Sequence, residues 1–221
     1  MKDLTMKQPE RTRFFRDREP FAALSRMVVE KWLPTHALGP LRLLSIPCGC
    51  GEEPYSLAMA LLDAGLAAHR FCIDAVESNA GALERARRAV YGQDSFGAED
   101  LGFRDRYFER TGEGFVLQAA VRSAVHFYQG NLLDEDSLAG HASYDFIFCR
   151  NLLIDLDRPT QRQALEKIHR LLAPSGALFV GPGEQGLVLE HGLVSATIAM
   201  AFAYVNATQA GNPSALGAYH A

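Results

Sequence analysis

Three glutamates carry the first chemical signal in this 221-residue chain. Glu52 and Glu53 follow directly on the loop Pro47-Cys48-Gly49-Cys50-Gly51, and Glu77 stands further on, near the spacing of about 20 residues at which an acid binds ribose hydroxyls in nucleotide folds. A helix N-terminus carries roughly half a positive charge and invites phosphate. Two glutamates in that place favour the helix dipole but repel a pyrophosphate. No Lys or Arg falls between Leu43 and His69, and no GxxxxGK[ST] run exists. The pattern therefore favours a cationic ligand. S-adenosylmethionine, with its ammonium and sulfonium, has that character. The plain alternative is that both glutamates only start a helix.

The elements that must position these acids are legible around them. Leu41, Leu43, Leu44 and Ile46 form a short apolar run, expected of a strand (Leu41–Ile46) covered on both faces. Gly49 and Gly51 permit a sharp turn and close approach of a ligand. A helix is expected from near Pro54 to near Gly65. Arg70–Val76 reads as a second strand delivering Glu77, followed by a helix over Ala80–Val90. Strand, glycine loop, helix, strand and acid open a doubly wound α/β fold.

Composition sets the outer bounds. With 48% hydrophobic and 22% charged residues, the chain suits one globular domain. A net charge of -4 gives no basic field for nucleic acid. No apolar run reaches the length of a membrane span, and the N-terminus lacks a signal-peptide core. Cys48, Cys50, Cys72 and Cys149 do not have zinc-pattern spacing. They are expected to be buried free thiols of a cytoplasmic protein.

Along the chain, residues 1–13 are polar. Phe14, Phe15, Phe21, Leu24, Met27, Val28 and Leu33 recur at helical spacing, predicting a helix over Pro20–Leu33. Tyr91–Glu113, rich in glycine and charge, reads as an excursion from the sheet. Strands are expected at Gly114–Leu117, Val121–Tyr128, Tyr144–Cys149, Ala177–Val180 and Ala199–Val205. Helices are expected at Pro159–Leu172, stopped by Ala173-Pro174-Ser175-Gly176, and at Leu187–Leu193. The tail 207–221 reads as loosely held.

Taken together, these residues resemble the CheR family of chemoreceptor glutamate methyltransferases. The matching motifs are TRFFRD (Thr12–Asp17), GEEPYSLAM (Gly51–Met59), NLL (Asn131–Leu133), FCRNLLI (Phe148–Ile154), RPTQ (Arg158–Gln161) and LFVG (Leu178–Gly181), in family order. PCGCGEEPYSLAM and GPGEQG are similar to the WspC-type, biofilm-associated subgroup. The resemblance implies a class I S-adenosylmethionine-dependent methyltransferase fold, Rossmann-like with a mostly parallel seven-stranded sheet. It also implies a small antiparallel β-subdomain within 91–122 and a catalytic domain over 14–206. Family members usually carry a helical domain before TRFFRD. The chain is therefore expected to be a catalytic domain of a longer protein or a shortened member, with Thr12–Arg16 near an open edge.

The resemblance also implies roles. Thr12 and Arg16 lie against the cofactor, and Arg16 faces the substrate as the catalytic candidate. Glu53 holds the methionyl part. Glu77, where the family usually has Asp, takes the ribose. Asn131 and Leu132 border the adenine, and Cys149, Arg150 and Asn151 end the central strand beside the cofactor. Two positions depart from the family: Glu10, where many members have Asn, and Asp155, where the family has Tyr near the methyl group. No metal is implied. The implied partner is the cytoplasmic domain of a methyl-accepting chemoreceptor. A glutamate carboxylate is already ionised at neutral pH, so the chemistry needs alignment rather than a base. Rival readings are a nicotinamide-dependent dehydrogenase, opposed by the glutamate pair; a small-molecule O-methyltransferase, opposed by TRFFRD; and a non-catalytic S-adenosylmethionine sensor, for which Asp155 is the argument.

Overall fold

The computed structural model describes residues 12–36, 39–97, 101–134, 138 and 143–207. Of the expected N-terminal segment only Thr12 and Arg13 are among them, and of the tail only Ala207; Glu10 lies outside the described residues.

Ten strands follow in chain order among the described residues: β1 (Leu41–Ser45), β2 (Phe71–Glu77), β3 (Val90–Tyr91), β4 (Phe108–Thr111), β5 (Gly114–Leu117), β6 (Val125–Gln129), β7 (Tyr144–Cys149), β8 (Leu172–Val180), β9 (Leu193–Ser195) and β10 (Ala203–Asn206). Seven form one sheet in the order β6-β2-β1-β7-β8-β10-β9. β1 pairs in parallel with β2 and β7, β2 with β6, and β7 with β8. β10 runs antiparallel to both β8 and β9. The excursion after β2 supplies a separate antiparallel sheet in the order β3-β5-β4. The class I fold and its small β-subdomain are thus both present.

The helices are α1 (Arg18–Met27), α2 (Leu33–Thr35), α3 (Glu52–Asp63), α4 (Ala80–Arg88), α5 (Gly102–Tyr107), α6 (Ala119–Arg122), α7 (Arg158–Leu171) and α8 (Gln185–Glu190). Leu41, Leu43, Ile73, Phe146, Phe148 and Phe179 pack on one side of the sheet against α1 and α3. Leu44, Ile46, Val76, Ile147, Leu178 and Val180 pack on the other side against Ala164, Leu165 and Ile168 of α7. Burial on both faces is why the central strands read as continuous apolar runs.

Several sequence expectations are corrected here. The single helix over Pro20–Leu33 is instead α1, a π-helical turn over Val28–Trp32, and α2. The strand expected from Val121 begins only at Val125. Ala119–Arg122 closes a helical turn, Ser123 N donating to Ala119 O at 2.9 Å, and so buries Val121 from a helix rather than a strand. The last strand shortens to Ala203–Asn206, and β9 was not foreseen. Thr197, Met200 and Phe202 between them adopt left-handed φ values of 59°, 57° and 49°, which interrupt any strand. Two of the four cysteines, Cys50 and Cys72, are only half-buried.

Gly51 makes the expected sharp turn and is also held by close packing. Its φ is +95°, and a Cβ there would meet Tyr91 Oη at 2.9 Å and Ala86 Cβ at 3.0 Å. It is the point where the first loop, α4 and the small sheet come together. Gly51→Ala should destabilise the protein by about 1–3 kcal/mol. The double change Gly51→Ala with Tyr91→Phe, which removes the obstructing hydroxyl, should cost less than the sum of the single changes in denaturant unfolding. Strict additivity would exclude the steric explanation.

Candidate active site

The loop after β1, Glu77 at the end of β2, Asn131 after β6 and Cys149–Asn151 at the end of β7 all lie at the carboxyl edge of the parallel strands. β1 and β7 are neighbours, and the chain winds outward from them in opposite directions. A crevice at such a switch point is where open α/β sheets bind ligands.

Glu77, 8% exposed, is fixed on both oxygens. Oε2 accepts from Gly49 N at 3.0 Å and Oε1 from Asn79 N at 2.8 Å. One carboxylate thus ties the β1 loop to the β2 loop. Carboxylate oxygens have capacity for further donors beyond these.

Glu52 and Glu53, adjacent in sequence, point to different tasks. Glu52 is buried and accepts from Thr12 Oγ1 at 2.6 Å and Ser95 Oγ at 3.1 Å. It is a strut between the TRFFRD segment, α3 and the turn Gln93–Ser95 that follows β3. Glu53 Oε1 accepts from Ser45 Oγ at 2.8 Å, and its Oε2 lies 3.4 Å from Arg150 Nη1. Burial raises the pKa of both carboxyls; the Arg150 guanidinium offsets only part of the rise at Glu53.

Arg150 is the hub. It is 7% exposed, and its Nη2 donates to Asp17 Oδ2 at 2.5 Å. Its Nη1 also reaches Arg16 O at 3.3 Å. The residue after β7 thereby holds the TRFFRD segment against the start of α3. The sequence expectation that Thr12–Arg16 lies near an open edge is corrected for the two phenylalanines, which pack into the fold, while Arg16 is exposed. Phe14 is buried with ring centroids 4.7 Å from Tyr91, 5.0 Å from Phe108 and 5.3 Å from Phe96. Phe15 packs edge-on against Phe21 and Phe103, and its N–H donates to Ser56 Oγ at 2.9 Å.

The remaining expected residues are placed as follows. Arg16 is exposed beside this network. Leu132 is buried, and Asn131 Oδ1 caps a turn by accepting from Leu133 N at 2.8 Å. Cys149 is fully buried, and burial, Glu184 and Glu53 all push its thiol pKa up, so it is an inert filler. Asn151 is exposed with a left-handed φ of 61°. Asp155 is exposed in a short 3-10 turn, Leu153–Asp155.

One residue of the site was missed. Glu184, 1% exposed, accepts from Gly181 N (2.6 Å), Asn151 N (3.0 Å), Leu153 N (2.7 Å) and Ile154 N (3.3 Å). It clamps the segment that carries Arg150 and Asn151 to the end of β8. The GPGEQG run contained the residue, but only its fold neighbours reveal its task.

The donor set fits S-adenosylmethionine. Glu53 and Glu77 offer anionic acceptors at the crevice, and Arg150 Nε is buried without a hydrogen-bond partner among the described residues. Comparison with known proteins agrees. Residues 10–195 match the family model described as CheR methyltransferase, SAM binding domain.

The chain belongs to the CheR methyltransferase family.

This CheR domain is 49% identical over 200 residues to the probable biofilm formation methyltransferase WspC of Pseudomonas aeruginosa, covering 90% of this chain and 47% of that protein. It is 36% identical over 187 residues to chemotaxis protein methyltransferase 2 of the same organism, covering 81% of this chain and 65% of the relative. Against the chemotaxis protein methyltransferase of Salmonella typhimurium it is 34% identical over 195 residues, covering 85% and 65%. The chain spans about half the length of the WspC relatives it matches.

The Glu184 clamp is testable. Glu184→Ala leaves four backbone donors without their carboxylate, each costing about 1–3 kcal/mol when buried. The variant should lose at least about 3 kcal/mol of stability, with faster hydrogen exchange at Asn151, Leu153 and Ile154 before the sheet core opens. Unchanged protection at these amides would remove Glu184 from the role.

Proposed function

We propose that this CheR domain transfers a methyl group from S-adenosylmethionine to glutamate side-chain carboxylates of a chemoreceptor-like, methyl-accepting protein. The observation that carries the reading is the buried Arg150, which joins the TRFFRD segment to Glu53 at the crevice of a CheR fold. The names of the relatives, chemotaxis and biofilm methyltransferases, support the same substrate class.

S-adenosylmethionine, when bound, supplies an electrophilic methyl group on a sulfonium. The chain's residues then have the following tasks. Glu77 takes the ribose hydroxyls, and Glu53 and Arg150 hold the charged methionyl end. Asn131 and Leu132 border the adenine. Thr12 and the Cys149–Asn151 segment wall the crevice and exclude water. Arg16, exposed at the mouth with its carbonyl fixed by Arg150, grips the incoming carboxylate, as a guanidinium does through paired hydrogen bonds. The substrate carboxylate is ionised at neutral pH, so no side chain need remove a proton. Asp155 projects no aromatic ring toward this place; an exposed acid there repels carboxylates at long range and leaves the gripping to Arg16.

No helix among the described residues is long and apolar enough to cross a membrane. We assign the domain to the cytoplasm, where receptor signalling domains are met.

Two measurements test the reading. Glu77→Ala should weaken S-adenosylmethionine binding by roughly 1.5–3 kcal/mol in calorimetry, and Glu77→Asp should restore part of it. An unchanged dissociation constant would sink the ribose assignment. With receptor signalling domains as substrate, Arg16→Ala should abolish most methyl transfer while leaving the melting temperature within a few degrees. Arg16→Lys should recover only part, because Lys lacks the planar fork. Wild-type turnover by the Ala variant would end the role of Arg16; no methyl ester formed by the wild type on any receptor domain would end the substrate class.

A further inference from the structure

Toward the opposite, amino-terminal end of the strands, three side chains with different donor atoms converge on one face of the sheet. Cys72 and Asp74 alternate to the same side of β2, and His126 of β6 is the register partner of Asp74. One donor atom from each lies within 4.8 Å of the other two. His126 Nδ1 is 3.8 Å from Asp74 Oδ1. The other oxygen of Asp74, Oδ2, accepts from the Tyr144 hydroxyl at 2.9 Å and from Arg42 Nη2 at 3.3 Å. Those two donors, together with the Tyr128 hydroxyl that also hydrogen-bonds this carboxylate, hold the buried side chain in place with Oδ1 facing His126.

Thiolate, imidazole and carboxylate are the ligands zinc takes, with three protein groups and a water in open sites. Tetrahedral bonds of about 2.0–2.3 Å place donors roughly 3.3–3.7 Å apart, so donors that now lie within 4.8 Å of one another need to close by up to about 1.5 Å. Both ligand strands are hydrogen-bonded through this register, which gives the set a rigid base. Cys72 is half-buried and His126 exposed, so an ion and its water can reach the cluster. Calcium and magnesium prefer oxygen-only shells, so a sulfur and a nitrogen select against them. A second-shell hydroxyl on the carboxylate, here from Tyr144, is the usual support of such ligands.

We propose that Cys72, Asp74 and His126, on the neighbouring strands β2 and β6, form a divalent metal site of the zinc type. On binding, the thiol proton passes to solvent and the thiolate enters the ligand shell. Arg42 opposes the dication and moderates the affinity.

Cobalt(II) titrated into the full chain tests this. One equivalent should bind saturably, with a thiolate-to-cobalt charge-transfer band and tetrahedral d–d absorption that zinc then displaces. Cys72→Ser should abolish the charge-transfer band, and His126→Ala should weaken affinity at least tenfold. Cys50→Ser, which alters the other half-buried thiol, should leave the band intact. Circular dichroism on each variant separates loss of the ligand from loss of the fold, and the partly exposed Cys72 and His126 positions tolerate these changes. Absence of saturable binding, a band that survives Cys72→Ser, or one that vanishes with Cys50→Ser would overturn the site.

Discussion

The guanidinium of Arg150 is the constraint on which the site depends. It is almost entirely buried, and a buried cation is tolerated only when paired and hydrogen-bonded. Its partners come from three places: Asp17 after the TRFFRD run, Glu53 in the first turn of α3, and the backbone of Arg16. Removing either acid would leave part of the buried guanidinium without its acceptor. The N-terminal segment, the first helix of the nucleotide fold and the end of the central strand are therefore fixed relative to one another by electrostatics as well as by packing.

The same economy appears at both glutamates that accept from backbone N–H groups. Glu77 joins the loops after β1 and β2, and Glu184 joins the ends of β7 and β8. Loops at the carboxyl edge of a parallel sheet carry unpaired backbone donors, and a buried carboxylate satisfies several at once. Each acid makes the edge rigid without the side-chain bulk that would fill the crevice.

Much of this was legible in the chain. β1, β2 and β7 are short, strongly apolar runs bounded by glycine or polar residues, and α7 has a clear helical period. Local signals of that kind survive into the fold. What was not legible depends on contacts distant in sequence. The role of Glu184 rests on amides some thirty residues earlier. The strut role of Glu52 required Thr12 and Ser95 to meet it. The brevity of β10 and the existence of β9 depend on left-handed residues that are not glycine, which no propensity identifies. The cluster at Asp74 needed the parallel pairing of β2 with β6 before His126 could be seen beside it.

The two adjacent phenylalanines of TRFFRD have a mechanical consequence. Phe14 is sunk among the rings of the small sheet and its surroundings, while Phe15 leans on Phe21 of α1 and Phe103 of α5. The dipeptide works as a rivet through two plates. On one side of it Thr12 touches Glu52, and on the other Asp17 touches Arg150. Tilting the small sheet against the large one would therefore drag both ends of the motif, and a load applied at the far side of the β-subdomain would be felt at the crevice.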